Sequence, residues 1–144
     1  MESNKQDIID VCIKLAVSAD NQKWDEMKSC FLEDVDVDYS KHTGIPPAKI
    51  KTVEWIDTFW KVGVPKWSLL MHYLTNFEVM IEGDKADARC YVIALHIMNG
   101  IKEGDSLTAY GQFIFKLLKT PGGWKVGAMK CIINHLEGNK KLLE

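Results

Sequence analysis

The chain has 144 residues, of which 47% are apolar and 26% are charged, and its formal charge is −2. This length fits one compact domain spanning residues 1–144, and the composition excludes a disordered chain. The near balance of charge provides no strong field to attract nucleic acid or anionic lipid. We therefore expect neither nucleic acid nor a membrane among its partners.

The apolar runs are a few residues long, well short of the ~20 residues that cross a bilayer. The first residues lack signal-peptide character, so the sequence predicts a cytoplasmic protein. The four cysteines show no C-x-x-C spacing and are predicted to be buried core residues. The four histidines are too dispersed for a local zinc motif, and we expect no metal.

The N-terminal half predicts helices. From Asp7 to about Ala19 apolar residues recur every three or four positions, which indicates a helix with one buried face. A second short helix follows, with Trp24 on its apolar side. A third helix is predicted over residues 49–62, packing through Val53, Ile56, Phe59 and Trp60. A short strand at 35–39 and a proline-containing loop at 44–47 lie between them.

The C-terminal half predicts strands joined by tight turns. The strands are expected at residues 77–81, 86–98, 107–118 and 124–133. Helices followed by an antiparallel meander form an α+β order. The predicted fold is therefore a curved antiparallel sheet wrapped around N-terminal helices.

The run 86–98 separates by parity into two faces. One face carries small residues with a histidine at its end: Ala88, Cys90, Val92, Ala94 and His96. The other carries bulkier residues: Arg89, Tyr91, Ile93, Leu95 and Ile97. The first face predicts the wall of a cavity, and the second needs a cover, for which another copy of the chain is the best candidate. We therefore expect a homo-oligomer.

Several short segments occur together in a recognisable order. They are 19–21, 23–25, 38–39, 72–76, 83–86 and 122–126. Together they resemble the SnoaL-like branch of the nuclear-transport-factor-2-like superfamily over nearly the whole chain. The resemblance implies a cone-shaped sheet of the cystatin-like α+β barrel type. This superfamily includes enzymes, binding modules and assembly subunits, so the fold alone does not fix the function.

Within the superfamily, the site pattern is most similar to scytalone dehydratase and hexachlorocyclohexane dehydrochlorinase. Both are cofactor-independent lyases with an Asp–His dyad, and both are trimeric. Asp20 and His72 occupy the dyad positions, which implies catalytic roles for them and no cofactor. Tyr39 matches a substrate-orienting tyrosine of the dehydratase, and His96 matches its second histidine.

These residue types suit proton abstraction beside a carbonyl group. Imidazole is the side chain whose ordinary pKa lies nearest neutrality, so it is an effective base there. A carboxylate on one ring nitrogen fixes the tautomer and stabilises the imidazolium that forms. A phenol such as Tyr39 can donate to the developing enolate oxygen, and His96 can position the leaving hydroxyl.

The sequence also departs from both enzymes. Ala19 and Phe113 stand where the dehydratase has a tyrosine and an asparagine, so a different substrate is expected. Leu15 and Met129 replace a lysine and an arginine of the dehydrochlorinase, which disfavours chloride elimination. The predicted substrate-binding residues are Tyr39, His96, Trp24, Phe59, Asn76, Phe113 and Met129. Their character favours a small hydrophobic, cyclic or aromatic carbonyl compound.

Four alternatives to the lyase remain open at the level of sequence. A polyketide cyclase or an isomerase could use the same dyad, because each begins with the same proton abstraction. A small-molecule-binding protein or an assembly protein like an oxygenase small subunit would need no dyad. In that case Asp20 caps the helix at Trp24, and His72 bonds to backbone. The oligomer is either a trimer or a dimer.

Overall fold

The computed structural model describes residues 4–144. The helical segments are α1 (Lys5–Asp20), α2 (Trp24–Ser29), α3 (Ser40–Thr43), α4 (Thr52–Trp55), a π-helical turn (Ile56–Trp60) and α5 (Lys61–Gly63). Single 3-10 turns lie at Val64–Lys66 and Lys140–Leu143. The strands are β1 (Phe31–Asp38), β2 (Ala48–Lys51), β3 (Leu69–Glu82), β4 (Lys85–Ile97), β5 (Ser106–Thr120) and β6 (Gly123–Gly138).

Six strands form one curved, unclosed sheet in the order β2-β1-β6-β5-β4-β3. The strands from β3 to β6 make an antiparallel meander, as the sequence predicts, whereas β1 pairs in parallel with β6. Helix α1 packs on β3, β4 and β6. The predicted α+β class and wrapped sheet are confirmed, with the parallel β1–β6 pair as an addition.

Helix α1 forms because its apolar residues share one stripe and its first turn is capped. The side chain of Asn4 accepts from the Asp7 backbone, and the Asp7 carboxylate accepts from the Asn4 N–H in return. The buried stripe contains Ile8, Cys12 and Leu15. The cysteines at 12, 30, 90 and 131 are all buried and unpaired, as expected for core thiols.

The predicted third helix begins too early. Residues 48–51 instead form β2, which pairs antiparallel with β1, and the helix begins at Thr52. Thr52 is buried and donates its hydroxyl proton to the carbonyl of Leu32 at 2.6 Å. Val53, predicted to pack inward, is 47% exposed, and Trp55 is buried instead.

A π-helical turn explains how the rest of this helix is arranged. The N–H of Lys61 bonds to the carbonyl of Ile56, five residues earlier, so side chains five apart lie on one face. The rings of Trp55 and Trp60 therefore meet with centroids 5.6 Å apart. A regular helical period could not predict that contact.

Strand β3 is longer than the sequence predicts. It begins at Leu69 rather than at residue 77, so the segment 72–76 is part of the sheet. Its alternation is interrupted by a bulge between Thr75 and Glu78, where Asn76 has a φ of 56°.

Among residues 4–144, no helix is both long and apolar enough to cross a membrane.

Candidate active site

A cavity of about 270 Å³ lies between the sheet and the helical segment 52–66. The sheet contributes small and apolar side chains from β3 to β6: Leu70, His72, Val92, Ala94, His96, Ala109, Phe113, Cys131 and Ile133. The other side is formed by Tyr39, His42, Phe59, Trp60, Gly63, Val64, Lys66, Trp67 and Leu143. A smaller apolar cavity of about 150 Å³ holds benzene, so a one- or two-ring molecule fits this one.

Asp20 and His72 are joined by two hydrogen bonds. The His72 backbone N–H donates to Asp20 Oδ2 at 2.8 Å, and the ring Nδ1 lies 2.6 Å from Oδ1. The side chain of His72 is only 10% exposed, and that of Asp20 is 12% exposed. Asp20 is the last residue of α1, where the helix dipole disfavours a negative charge. The two donors from His72 offset that cost.

This geometry fixes the tautomer of the imidazole. A carboxylate oxygen on Nδ1 requires that nitrogen to carry a proton, so Nε2 is the acceptor nitrogen of the neutral ring. His72 lines the cavity, and its ring lies 6.1 Å from that of Phe113 and 6.2 Å from that of Trp60. The arrangement therefore offers a base nitrogen within an apolar hollow.

His96 is a second imidazole of the cavity with a different environment. Its Nδ1–H donates to the carbonyl of Ala94 at 3.0 Å and to that of Leu107 at 3.3 Å. Burial lowers the pKa of His96, and the nearby His72 and His42 lower it further. His96 is therefore neutral near pH 7, and its Nε2 can accept a hydrogen bond from a hydroxyl.

Aromatic side chains close the cavity around Tyr39. Its ring contacts those of Trp55, Phe59 and Trp60 with centroids 5.2 to 6.2 Å apart. Burial raises the pKa of Tyr39 well above its ordinary value, so the phenol keeps its proton and remains a donor. The hydroxyl makes no hydrogen bond to protein.

The structure places four of the seven predicted substrate-binding residues around the cavity, together with the dyad histidine His72. Tyr39, Phe59, His72, His96 and Phe113 all line the cavity, and Phe113 gives it an apolar wall. Asp20 lies behind His72 and contacts it directly.

Three predicted substrate-binding residues lie elsewhere. Trp24 is on α2 and packs against the core away from the cavity. The bulge of β3 carries Asn76 to the exposed outer side, beside Arg89 and Gln112. Met129 is 1% exposed and fully committed to core packing rather than to the cavity wall.

Other residues of the wall were missed as ligand contacts. The sequence predicts Trp60 only as a packing residue, and its spacing of four positions from Ile56 is the available signal. Trp67 lies in a loop without periodicity, yet its ring is 4.7 Å from that of His96. His42 stands near the cavity, and burial lowers its pKa.

Within residues 4–144, no three metal-ligating side chains cluster closely enough to hold an ion.

The fold and these residues agree with the comparison with known families. A family model of the SnoaL-like domain matches residues 3–130, and the chain belongs to this family. Its fold is that of the nuclear-transport-factor-2-like proteins with a cystatin-like architecture. The resemblance stated from the sequence segments is thereby confirmed.

Three solved structures are similar over most of the chain. A "putative aromatic ring hydroxylase" from Novosphingobium aromaticivorans is 29% identical, with 99% of this chain and 100% of that chain covered and a TM-score of 0.80. A "putative scytalone dehydratase" from the same species is 19% identical, with 93% and 86% covered and a TM-score of 0.75. A hexachlorocyclohexane dehydrochlorinase from Novosphingobium barchaimii is 16% identical, with 94% and 90% covered and a TM-score of 0.75. The last two likenesses show a shared fold.

Proposed function

We propose that the protein is a cofactor-independent lyase of the dehydratase kind, acting on a hydrophobic cyclic carbonyl compound. The observation that carries the proposal is the Asp20–His72 pair, whose 2.6 Å contact leaves His72 Nε2 free as a base. A hydrogen-bonded carboxylate and imidazole at the wall of an apolar cavity are the parts that abstraction of a carbon-bound proton requires.

In the proposed reaction, His72 Nε2 takes the proton from the carbon next to the carbonyl. The electron pair of that C–H bond forms an enolate, whose oxygen accepts a hydrogen bond from Tyr39. The enolate then reforms the carbonyl and expels the β-hydroxyl group, creating a carbon–carbon double bond. The His72 imidazolium returns its proton to the leaving oxygen, so the products are water and the unsaturated ketone.

Asp20 and His96 have supporting roles in this scheme. Asp20 holds the ring of His72 and offsets the positive charge that develops on it. His96 is neutral, with its Nδ1 proton engaged by backbone carbonyls, so its Nε2 can accept from the substrate hydroxyl before elimination.

The cavity limits the substrate to a small, mostly apolar molecule. Its volume of about 270 Å³ and its aromatic lining favour a one- or two-ring ketone. Two of the similar structures support this choice by name, one as an aromatic ring hydroxylase and one as a dehydratase.

The test uses 3-hydroxy-1-tetralone, a two-ring β-hydroxyketone that loses water and then becomes 1-naphthol. We expect the wild-type protein to accelerate the appearance of 1-naphthol absorbance and to exchange the protons at C2 with deuterium. His72→Ala removes the base and should abolish both reactions, whereas His135→Ala, at an exposed position on β6, should leave both unchanged.

Deuterium exchange without elimination in the wild-type protein would favour an isomerase or a cyclase with the same base. Equal rates in wild type and His72→Ala would refute the assigned base. Tight binding of the ketone with no exchange would favour a small-molecule-binding protein.

A further inference from the structure

Two buried polar atoms, on residues that line the cavity, lack a partner in the protein. They are the Tyr39 hydroxyl and the Trp60 indole nitrogen, and within residues 4–144 no other buried side-chain nitrogen or oxygen shares this condition. Buried donors in native proteins are nearly always satisfied. Both residues line the same cavity, which makes an occupant of the cavity the candidate partner for the two donors.

The two donors are held next to the dyad. The ring centroid of Trp60 lies 6.2 Å from that of Tyr39 and 6.2 Å from that of His72. Trp60 is therefore a neighbour of both the proposed enolate donor and the proposed base.

The π-helical turn fixes the position of Trp60. The turn packs the Trp60 ring edge-to-face against that of Trp55, and the Phe59 ring contacts it in the same way with centroids 5.3 Å apart. Trp60 is only 5% exposed, so its indole has little freedom to turn toward solvent. A rigid donor is preorganised and loses little entropy when it binds a ligand.

We propose that Trp60 Nε1–H and Tyr39 Oη–H donate together to one carbonyl oxygen of the ligand, and that Trp60 thereby selects conjugated cyclic ketones over hydrocarbons of the same shape. The inference deepens the proposed function and rests on it for the identity of the ligand. Trp60 acts as a specificity-determining residue, because it contacts an oxygen that both substrate and enolate possess.

The pairing predicts selectivity for oxygen. A ketone satisfies both donors, whereas a hydrocarbon of equal size leaves them unpaired in a buried site. The apolar wall contributes equally to the binding of both molecules. Removal of one donor should therefore reduce the affinity for the ketone and leave the affinity for the hydrocarbon unchanged.

The experiment measures binding of 1-tetralone and of tetralin, which lacks the oxygen, by calorimetry. Trp60→Phe and Tyr39→Phe should each weaken 1-tetralone binding about tenfold and change tetralin binding little. Trp67→Phe is the matched control, because it removes another cavity tryptophan near His96; it should alter both affinities by a similar factor. The variant that carries both substitutions should lose less 1-tetralone affinity than the two single fold-losses multiplied together, because both donors share one oxygen.

A second measurement needs no substitution in the cavity. The indole N–H resonance of Trp60 in the wild-type protein should move downfield with 1-tetralone and remain in place with tetralin. The inference is overturned if Trp60→Phe weakens the binding of 1-tetralone and tetralin equally or weakens the binding of neither. It is also overturned if the indole resonance stays in place while 1-tetralone is bound.

Binding is measured again in His72→Ala, which cannot abstract the proton, so this result is independent of catalysis. One outcome separates the two proposals: Trp60→Phe weakens 1-tetralone binding tenfold in the His72→Ala background, but the wild-type protein exchanges no protons. In that case the proposed lyase fails and the donor pair stands. If wild type exchanges protons and Trp60→Phe binds 1-tetralone normally, the donor pair fails and the lyase stands.

Discussion

The carboxylate of Asp20 accepts one hydrogen bond from the backbone of His72 and another from its ring, with each oxygen engaged by a different nitrogen. The first bond fixes the backbone of His72 relative to Asp20, and the second fixes the orientation of the His72 ring. The end of α1 and strand β3 are thereby joined across 52 positions of sequence. Any change to Asp20 should affect both the tautomer of His72 and the local docking of the helix.

Asp20→Asn separates these two effects. The amide oxygen can still accept from the His72 backbone, but the amide nitrogen can only donate to the ring, which favours the tautomer with its proton on Nε2. We expect proton exchange and elimination to fall by about 10³–10⁴-fold, as for a triad with the wrong tautomer, with little change in fold. Nitrogen chemical shifts of the imidazole report the tautomer directly.

Asp36→Asn is the control for that variant. Asp36 lies on β1 with an exposed carboxylate, 3.8 Å from Lys49, and its loss should leave turnover unchanged. An Asp20→Asn protein with normal turnover and the original tautomer would contradict the assigned role of Asp20.

Much of the fold was predictable because its signals are local. The stripe of α1 and the alternation of β4 follow from the periods of helix and strand, and both are observed. The turn at Gly83 follows from the left-handed φ of 61° that glycine adopts readily. The pairing of Asp20 with His72 depends on tertiary packing, and only the family resemblance indicated it.

The errors arise where irregular backbone changes the direction of side chains. The bulge at Asn76 turns that residue outward, and the helix that begins at Thr52 buries Trp55 rather than Val53. Neither irregularity has a distinct periodicity. Met129 was predicted from a matched position, but its side chain fills the core because the strand it belongs to packs against α1.

The pH dependence of stability should reflect His96. Burial lowers its pKa in the native state below the value of about 6.5 that the unfolded chain retains. As the pH falls below about 6.5, the unfolded state binds a proton that the native state resists, so the free energy of unfolding decreases. His42, with its pKa also lowered by burial, contributes in the same direction.

Denaturant unfolding at pH 7 and pH 5 measures this effect. The wild-type protein should be less stable at pH 5, and His96→Gln should reduce the difference between the two values. His135→Gln, which changes an exposed imidazole, should leave the difference as it is. A difference equally large in His96→Gln would show that other groups cause it.

The outer face of the sheet supports the proposal of a homo-oligomer. Met71 pairs with Leu95, and Tyr73 pairs with Ile93, so these side chains form a continuous apolar patch. Met71 is 39% exposed and Tyr73 is 45% exposed in the isolated chain. A second copy covering this face would remove that area from water.

Sedimentation equilibrium tests the assembly. We expect a dimer or a trimer for the wild-type protein and a shift toward monomer for Tyr73→Lys, because a buried unpaired charge is costly. Val62→Lys, at a 69% exposed position on α5, should not change the mass. A monomeric wild-type protein at micromolar concentrations would refute the proposed oligomer.

Gly111 should be a critical position for the meander that carries the cavity. It lies in β5 at a register shift between β5 and β6, and a Cβ there would stand 1.9 Å from the backbone oxygen of Ile132. Backbone in a paired strand cannot move aside easily, so Gly111→Ala should destabilise the protein by about 3 kcal/mol. At Gly127 a Cβ would meet the Leu32 side chain at 2.9 Å, which a rotamer change can relieve. Gly127→Ala should therefore cost less, and equal unfolding midpoints for the two variants in urea would show that the close approach at Gly111 is easily relaxed.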